Sequence, residues 1–556
     1  MAGKDKKPRA RQATQIAALA LGALWLLAGT AALALSPPEG DLSARIAAES
    51  ARMLQATDDA ANVRQQGPGV VSDPLNRRDL PPPGGPTVLL KSVTFTPASA
   101  FLSDSELAAI RAKYIGRRVD FSGLSELVRD VNDLYAEKGV VTATAILGPQ
   151  NVEGGDLVIS LIEGQLGVVA VVGEHQTRTN FITNRVRFAR GTTVDVPTAA
   201  KDISFFNQTN RAQLRLLLQP GAAFGLTDLV FGITEPAPQQ VQFFLDNNGV
   251  ASTGDIRASH IFRRYGLLGV DDTFLLFLEA TEGSRSATAR YDFSLTPIGT
   301  RLSFSATGSN YNVVAGPSVG LDLTGRAQST SFTVTQPIYA SDRFVLQATA
   351  AMFRGASVSY SAGVPLVDAD TTKFAPGFTF AAFGDNWTVS TQVQAVFATV
   401  TDNLAASSAD YVIGTGSIDG AYRFANGVSF IGRGAWQSSQ ASLLPGNLLF
   451  QIGGPTTVRG YPSDGVAGDS GFFANIELHK TLTFNETAFN GYVFADLGEV
   501  YSTFPTVVSM ASAGVGASYN FNDNVRFEVS AAVPLRNAVA NQDDVTISAT
   551  LTFTQF

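Results

Sequence analysis

The sequence predicts a transmembrane β-barrel of about 16 antiparallel strands, preceded by two small α+β domains and an N-terminal helix that plugs the pore. Three observations predict it. The chain opens on an export signal, residues 238–556 alternate apolar and polar side chains with period two, and charged residues make up only 16% of it. Low charge with 52 Gly and 37 Phe suits a protein of many turns and lipid-facing strands.

The signal comes first. Lys4, Lys6, Lys7, Arg9 and Arg11 form a basic start, residues 16–35 are an apolar run, and Ala32-Leu33-Ala34 offers a cleavage site. The run is nearly long enough to anchor in a bilayer. Small residues crowd its end and no other apolar helix follows, so residues 1–34 read as a cleaved signal peptide. Residues 35–66 follow as the plug helix. Within them, 41–66 are rich in Ala, Arg, Glu and Gln, and Leu42, Ile46, Met53 and Leu54 make only a weak apolar stripe. A helix polar nearly all round suits a wet channel and not a dry core. Residues 67–86 carry six prolines and four glycines and read as a linker.

Residues 87–164 read β-α-α-β-β, with strands over 89–95, 140–147 and 157–163 and helices over 104–115 and 122–138. Residues 165–237 repeat that order more faintly, with the main helix over 196–207. From residue 238 helical periodicity disappears. In residues 545–553, Val545, Ile547, Ala549, Leu551 and Phe553 share one face, and Thr546, Ser548, Thr550 and Thr552 share the other. At about 20 residues per strand and connection, residues 238–556 supply about 16 strands. Phe556 is out of phase with this stretch, and a bulge near Thr554 restores it.

Several chemistries are excluded. There is no Cys, hence no disulfide and no thiolate metal site, and His175, His260 and His479 are far apart with no metal-ligand spacing. A net charge of −8 without a basic stripe argues against nucleic acid.

Two motifs remain. Gly453-Gly454-Pro455-Thr456-Thr457-Val458-Arg459-Gly460-Tyr461 lies in the barrel half, and Phe494-Ala495-Asp496-Leu497-Gly498 lies downstream. Alternation puts Tyr492, Phe494 and Asp496 on one face, which points inward because a carboxylate facing lipid is costly. A guanidinium binds such a carboxylate through two parallel hydrogen bonds. In these motifs the chain resembles the transporters of two-partner secretion, which join POTRA domains to a 16-stranded barrel. Tyr135, Gly139, Pro149-Gln150, Gly155, Leu157 and Glu163-Gly164 resemble their first POTRA domain. Pro220-Gly221, Gly225 and Thr227-Asp228-Leu229 resemble the end of the second, and Asp246-Asn247-Asn248-Gly249 their first barrel hairpin.

The resemblance implies a loop motif of Val458, Arg459, Gly460 and Tyr461 folded into the lumen, received by Phe494, Asp496 and Gly498 on the wall. It implies an outer-membrane protein with periplasmic POTRA domains that secretes an exoprotein bearing an N-terminal secretion domain. Its other partners are outer-membrane lipid and the barrel assembly machinery. It is expected to be a monomer that uses no cofactor, metal or nucleic acid. Client capture by strand addition suggests the edge carrying Val141, Ala143, Ala145 and Leu147. A barrel-assembly factor of the same superfamily is the alternative, although relatives of that kind carry more POTRA domains. An outer-membrane enzyme lacks a recognisable nucleophile or acid pair here.

Overall fold

The computed structural model describes residues 70–71, 82–188, 192–463, 465–484, 487–501, 507–539 and 542–556. The expected signal peptide (1–34), plug helix (35–66) and most of the linker lie outside them. The first described element is β1 (Val70–Val71).

The first α+β unit contains β2 (Val88–Leu89), β3 (Ser92–Thr96), helix α1 (Asp104–Tyr114), β4 (Arg118–Val119), α2 (Phe121–Glu137), β5 (Ala143–Ile146) and β6 (Asp156–Glu163). A capping box starts α1: Ser103 Oγ accepts the Glu106 N–H and the Glu106 carboxylate accepts the Ser103 N–H. Asp120 caps α2 by accepting the Gly123 N–H at 2.9 Å. Leu124, Leu127, Val131 and Tyr135 recur at helical spacing and bury one face of α2 against the three-stranded sheet β3-β6-β5. Gly139 ends that helix at φ +73°. Leu127 is fully buried, so Leu127→Ala removes roughly 2–5 kcal/mol from this unit.

The second unit repeats the order: β7 (Gln165–Val172), α3 (Thr179–Thr183), α4 (Val196–Thr209), β8 (Gln213–Pro220) and β9 (Leu226–Thr234). Val196, Ala199, Ile203 and Phe206 of α4 pack on Leu214, Leu216, Leu229 and Phe231 of the sheet. The helix runs two residues beyond the expected 196–207, and Asn210 is its C-cap. Strand β1 adds to this sheet, pairing parallel to β8 through Val70↔Leu216 and Val71↔Leu217.

The barrel opens with β10 (Gln239–Asp246), β11 (Arg257–Tyr265), β12 (Thr273–Ala280), β13 (Ser284–Ser294), β14 (Arg301–Asn312) and β15 (Leu323–Ala340). It continues through β16 (Phe344–Ser361), β17 (Val364–Phe383), β18 (Trp387–Asp402), β19 (Ser407–Arg423) and β20 (Val428–Ser439). A hairpin of β21 (Phe450–Ile452) and β22 (Val466–Gly468) interrupts the meander. Strands β23 (Ser470–Phe484), β24 (Thr487–Tyr501), β25 (Val508–Asn520), β26 (Val525–Pro534) and β27 (Thr546–Gln555) complete it. Antiparallel pairing of β10 with β27 closes the barrel at 16 strands, so no edge is left bare. Strands β10–β12 have 8 or 9 residues while β17 has 20, so the wall is taller on the β17 side.

The expected bulge near Thr554 is absent. Register runs unbroken from Asp246↔Thr550 to Val241↔Gln555, and Phe556 lies past the strand end. The register of the β15–β16 pair shifts instead between Pro337 and Tyr339, where proline has no N–H to give to the ladder.

Candidate functional site

Residues 440–469 connect β20 to β23 and turn inward. Val493 is 51% exposed on the outer face of β24, whereas Tyr492, Phe494 and Asp496 are buried on the inner one. The loop tip packs against that inner face. Arg459 donates from Nε to Asp496 Oδ2 and from Nη2 to Asp496 Oδ1, both at 2.7 Å. Its backbone N–H reaches the same carboxylate at 3.1 Å. The third guanidinium nitrogen, Nη1, donates to Glu477 Oε1 at 2.7 Å. The guanidinium carbon lies 3.6 Å from the centre of the Phe494 ring, a cation–π contact in a water-poor place. The fork thus meets one carboxylate through two bonds, a second through one and an aromatic face through stacking, which only Arg can do.

The motif glycines and neighbours have local reasons. Gly460 has φ +88°, and its Cα faces Ala532 and Pro534 of β26. A Cβ on Gly498 stands 2.9 Å from Val458 Cγ2, so that wall position must be bare for the buried Val458 to seat. Tyr461 carries its hydroxyl to 2.9 Å from the carbonyls of Ala511 and Arg536 and accepts the Ala511 N–H at 3.2 Å. Thr457 Oγ1 closes the turn on Gly453, and Asn475 donates to the Thr457 carbonyl. All seven predicted motif and wall residues therefore meet in one place.

Sequence reasoning missed two members. Glu477 takes the third arm of Arg459, and His479 Nε2 lies 2.7 Å from the other Glu477 oxygen while stacking on Tyr492. The signal was present: Asn475, Glu477 and His479 alternate along the inner face of β23, polar groups in a row pointing the same way.

A second charged cluster joins the second α+β unit to the barrel underside. Asp271, wholly buried at φ +55°, accepts the N–H groups of Arg211 and Ala212, the Tyr265 hydroxyl at 2.8 Å and Arg301 Nη1 at 2.6 Å. Arg301 Nη2 and Arg211 Nη1 both donate to Asp292. Beside them Arg185 donates to the Thr296 carbonyl at 2.8 Å, and burial pulls its guanidinium down to about 10, still charged at neutral pH.

The predicted client edge looks different from expectation. Strand β5 starts at Ala143, two residues after Val141, and is an edge of its sheet. Ala143 and Ala145 point into the first core, Leu147 packs against it, and Val141 packs on the second unit. The Asn132 amide accepts the Ala145 N–H at 2.6 Å and donates to its carbonyl at 3.3 Å, sealing the edge at its middle. Asn207 treats Leu214 of β8 the same way, at 2.7 and 2.9 Å. Beyond Leu214 the β8 edge is open enough to hold Val70–Val71.

Residues 225–519 match the haemolysin secretion/activation protein family of ShlB, FhaC and HecB, and residues 88–164 match a ShlB-type POTRA domain. The outer membrane transporter CdiB of Dickeya dadantii is 27% identical over 209 residues, which span 37% of this chain and 36% of that protein. The heme/hemopexin transporter protein HuxB of Haemophilus influenzae is 24% identical over 79% of this chain and 82% of its own. The structure of CdiB from Escherichia coli superposes with a TM-score of 0.67 at 17% identity, covering 95% of this chain and 100% of that one, which is a likeness of fold.

Proposed function

The chain belongs to the haemolysin secretion/activation family of ShlB, FhaC and HecB, and on that premise we propose that it passes a large exoprotein from the periplasm to the cell surface by two-partner secretion. The barrel lies in the outer membrane with the POTRA domains on its periplasmic side. The client is an adhesin, haemolysin or related exoprotein whose N-terminal secretion domain arrives unfolded. One observation carries the reading of capture: Val70–Val71 is already paired along β8, so the periplasmic half takes up extended chain through main-chain hydrogen bonds. Such bonds tolerate many sequences, which suits a moving substrate. The stretch of β8 that already carries Val70–Val71 supports strand addition better than Ala143–Ile146, whose middle is occupied by Asn132.

Arg459, flanked by Val458, Gly460 and Tyr461 and received by Phe494, Asp496 and Gly498, keeps the loop in the lumen in this reading. The client's folding outside withdraws unfolded chain from the pore and supplies the drive. The family is one of transporters, and passage of the client through the pore involves no catalytic step, cofactor or nucleic acid. The protein acts as a monomer, inserted into outer-membrane lipid by the barrel assembly machinery.

The test uses cells that express the chain with its client. Deleting residues 87–237 should leave the client in the periplasm while the barrel stays inserted, and the purified 87–237 fragment should bind the client's N-terminal region. No binding by the fragment, together with normal secretion by the deletion, sinks the capture step. Normal surface display without the chain sinks the transport reading itself.

A further inference from the structure

Two guanidinium groups serve neither the lumen loop nor the barrel underside. In the barrel register Arg285 on β13 and Arg326 on β15 both flank Asn310 on β14. Strand spacing sets them roughly 10 Å apart. Both are exposed, and among the described residues neither has an ion-pair partner. They lie on the outer wall: Arg285 alternates with Ser284 and Ser286, which are buried on the lumen side.

The two arginines stand towards one side of a groove of about 1330 Å³ in that wall, with Ala356, Val358 and Asp368 beyond them. Its floor is made of very small residues, Ala258, Ala280, Ala287 and Gly308, on four successive strands. Its other end is walled by Phe243, Leu278 and Phe553. There His260 stacks on Phe243 at 4.5 Å, and its Nδ1 is buried with no hydrogen-bond partner.

The position fits the bilayer. Arg285 stands nine residues above Ser294, the periplasmic end of β13. At a rise of about 3.4 Å and a tilt of about 40°, that is roughly 23 Å, close to the height of a barrel's apolar band. Register rows in a tilted barrel run obliquely. Arg301 is the periplasmic end of β14, but its partner Thr335 is five residues short of the end of β15 at Ala340. A row therefore descends from β15 towards β10. The cationic end of the groove lies at the outer surface and the aromatic end lies deeper.

We propose that this groove binds one phosphorylated glycolipid of the outer leaflet, with a phosphate on Arg285 and Arg326 and an acyl chain along the alanine and glycine floor. Two guanidiniums with the Asn310 amide between them offer convergent donors to phosphate oxygens. The bare floor leaves room for methylene groups beneath the headgroup. Asp368, held by Asn403 at 2.8 Å, bounds the cationic end and keeps the phosphate on the arginine side.

The inference rests on the outer-membrane placement but not on transport, and its test reads lipid binding alone. The purified full-length protein is titrated with bis-phosphorylated lipid A in detergent and measured by native mass spectrometry. One bound lipid is expected, weakened by about tenfold or more in R285Q/R326Q and in A287L, which fills the floor. Heat-modifiable migration reports that each variant is a folded barrel. Dephosphorylated lipid A on the unaltered protein should bind as weakly, an arm that needs no variant. Equal binding of the phosphorylated and dephosphorylated forms overturns the proposal, as does full binding by folded R285Q/R326Q. Displacement by an equal concentration of phosphatidylglycerol also overturns it, because the occupant is then not the glycolipid.

Discussion

Arg459 and Arg301 each hold two carboxylates, one inside the barrel and the other beneath it, but the two clusters are balanced differently. The lumen cluster has one guanidinium facing Asp496 and Glu477, with His479 behind Glu477. The underside cluster has two guanidiniums, Arg301 and Arg211, facing Asp271 and Asp292. The second can lose a cation and keep one. The first cannot. Its aromatic floor, Phe494, adds attraction for a cation but nothing for a carboxylate left behind. The loop's charge balance rests on a single cation, whereas the domain is joined by a balanced quartet and backbone donors.

The largest effect is therefore expected at Arg459. Arg459→Ala leaves the wholly buried Asp496 carboxylate without its cation and with only the backbone N–H of residue 459, a local cost of about 3–5 kcal/mol. Secretion should fall to background while heat-modifiable barrel persists, because the closed ladder of 16 strands does not depend on the loop. Arg459→Lys should fail nearly as badly, for Lys reproduces neither the fork nor the stack. Asp496→Ala combined with Arg459→Ala should be no worse than either alone. Strictly additive losses at matched barrel abundance mean that the two residues act separately.

Arg301→Ala should do less. Arg211 still faces Asp292, and Asp271 keeps the Tyr265 hydroxyl and two N–H donors. Secretion should drop partially, with faster protease cleavage in the 235–238 segment between domain and barrel as the joint loosens. A loss as deep as that of Arg459→Ala breaks the contrast between the clusters.

Gly498→Ala comes third. Its methyl meets Val458 Cγ2 at 2.9 Å, an overlap the loop relieves by moving a few tenths of an ångström, at a cost of about 1–3 kcal/mol. A severalfold fall in secretion is expected, restored in part by Val458→Ala, which removes the opposing methyls. No rescue in the double variant means that Gly498 acts other than through that contact.

The smallest effect belongs to an exposed pair, a control for the buried ones. The Lys138 ammonium beside Glu106, together with the cap on Ser103, holds the Glu106 carboxyl down to about 2. Its folded value lies below its ordinary one of 4.5, so its contribution is complete above that pH and is lost as pH falls through about 2. Amide protection in the first turn of α1 should decline across that window and lose the dependence in Glu106→Gln. An unchanged profile in the variant removes the carboxylate as the cause.

Much of this was legible from the chain alone. Period-two alternation from residue 238 determined the barrel and which residues face lipid, because a strand's side chains change sides at every step. Strand number followed from length. Helical spacing placed the two helices of the first α+β unit to within a residue or two, while the Ser103 and Asp120 caps emerged only in the structure. The Arg459–Asp496 pair was legible because each half sits in a contiguous motif and a buried carboxylate needs a donor. Tertiary structure alone decided the rest. Asp271, Asp292, Arg211 and Arg301 come from four separated segments, and nothing local in any of them marks it as a partner. Nor does any local rule say that Asn132 seals β5 or that Val70–Val71 lies along β8, since an edge is defined only once the sheet has closed around it. Alternation tells a side chain which face it occupies; only the folded register tells it which neighbours, tens or hundreds of residues away, share that face.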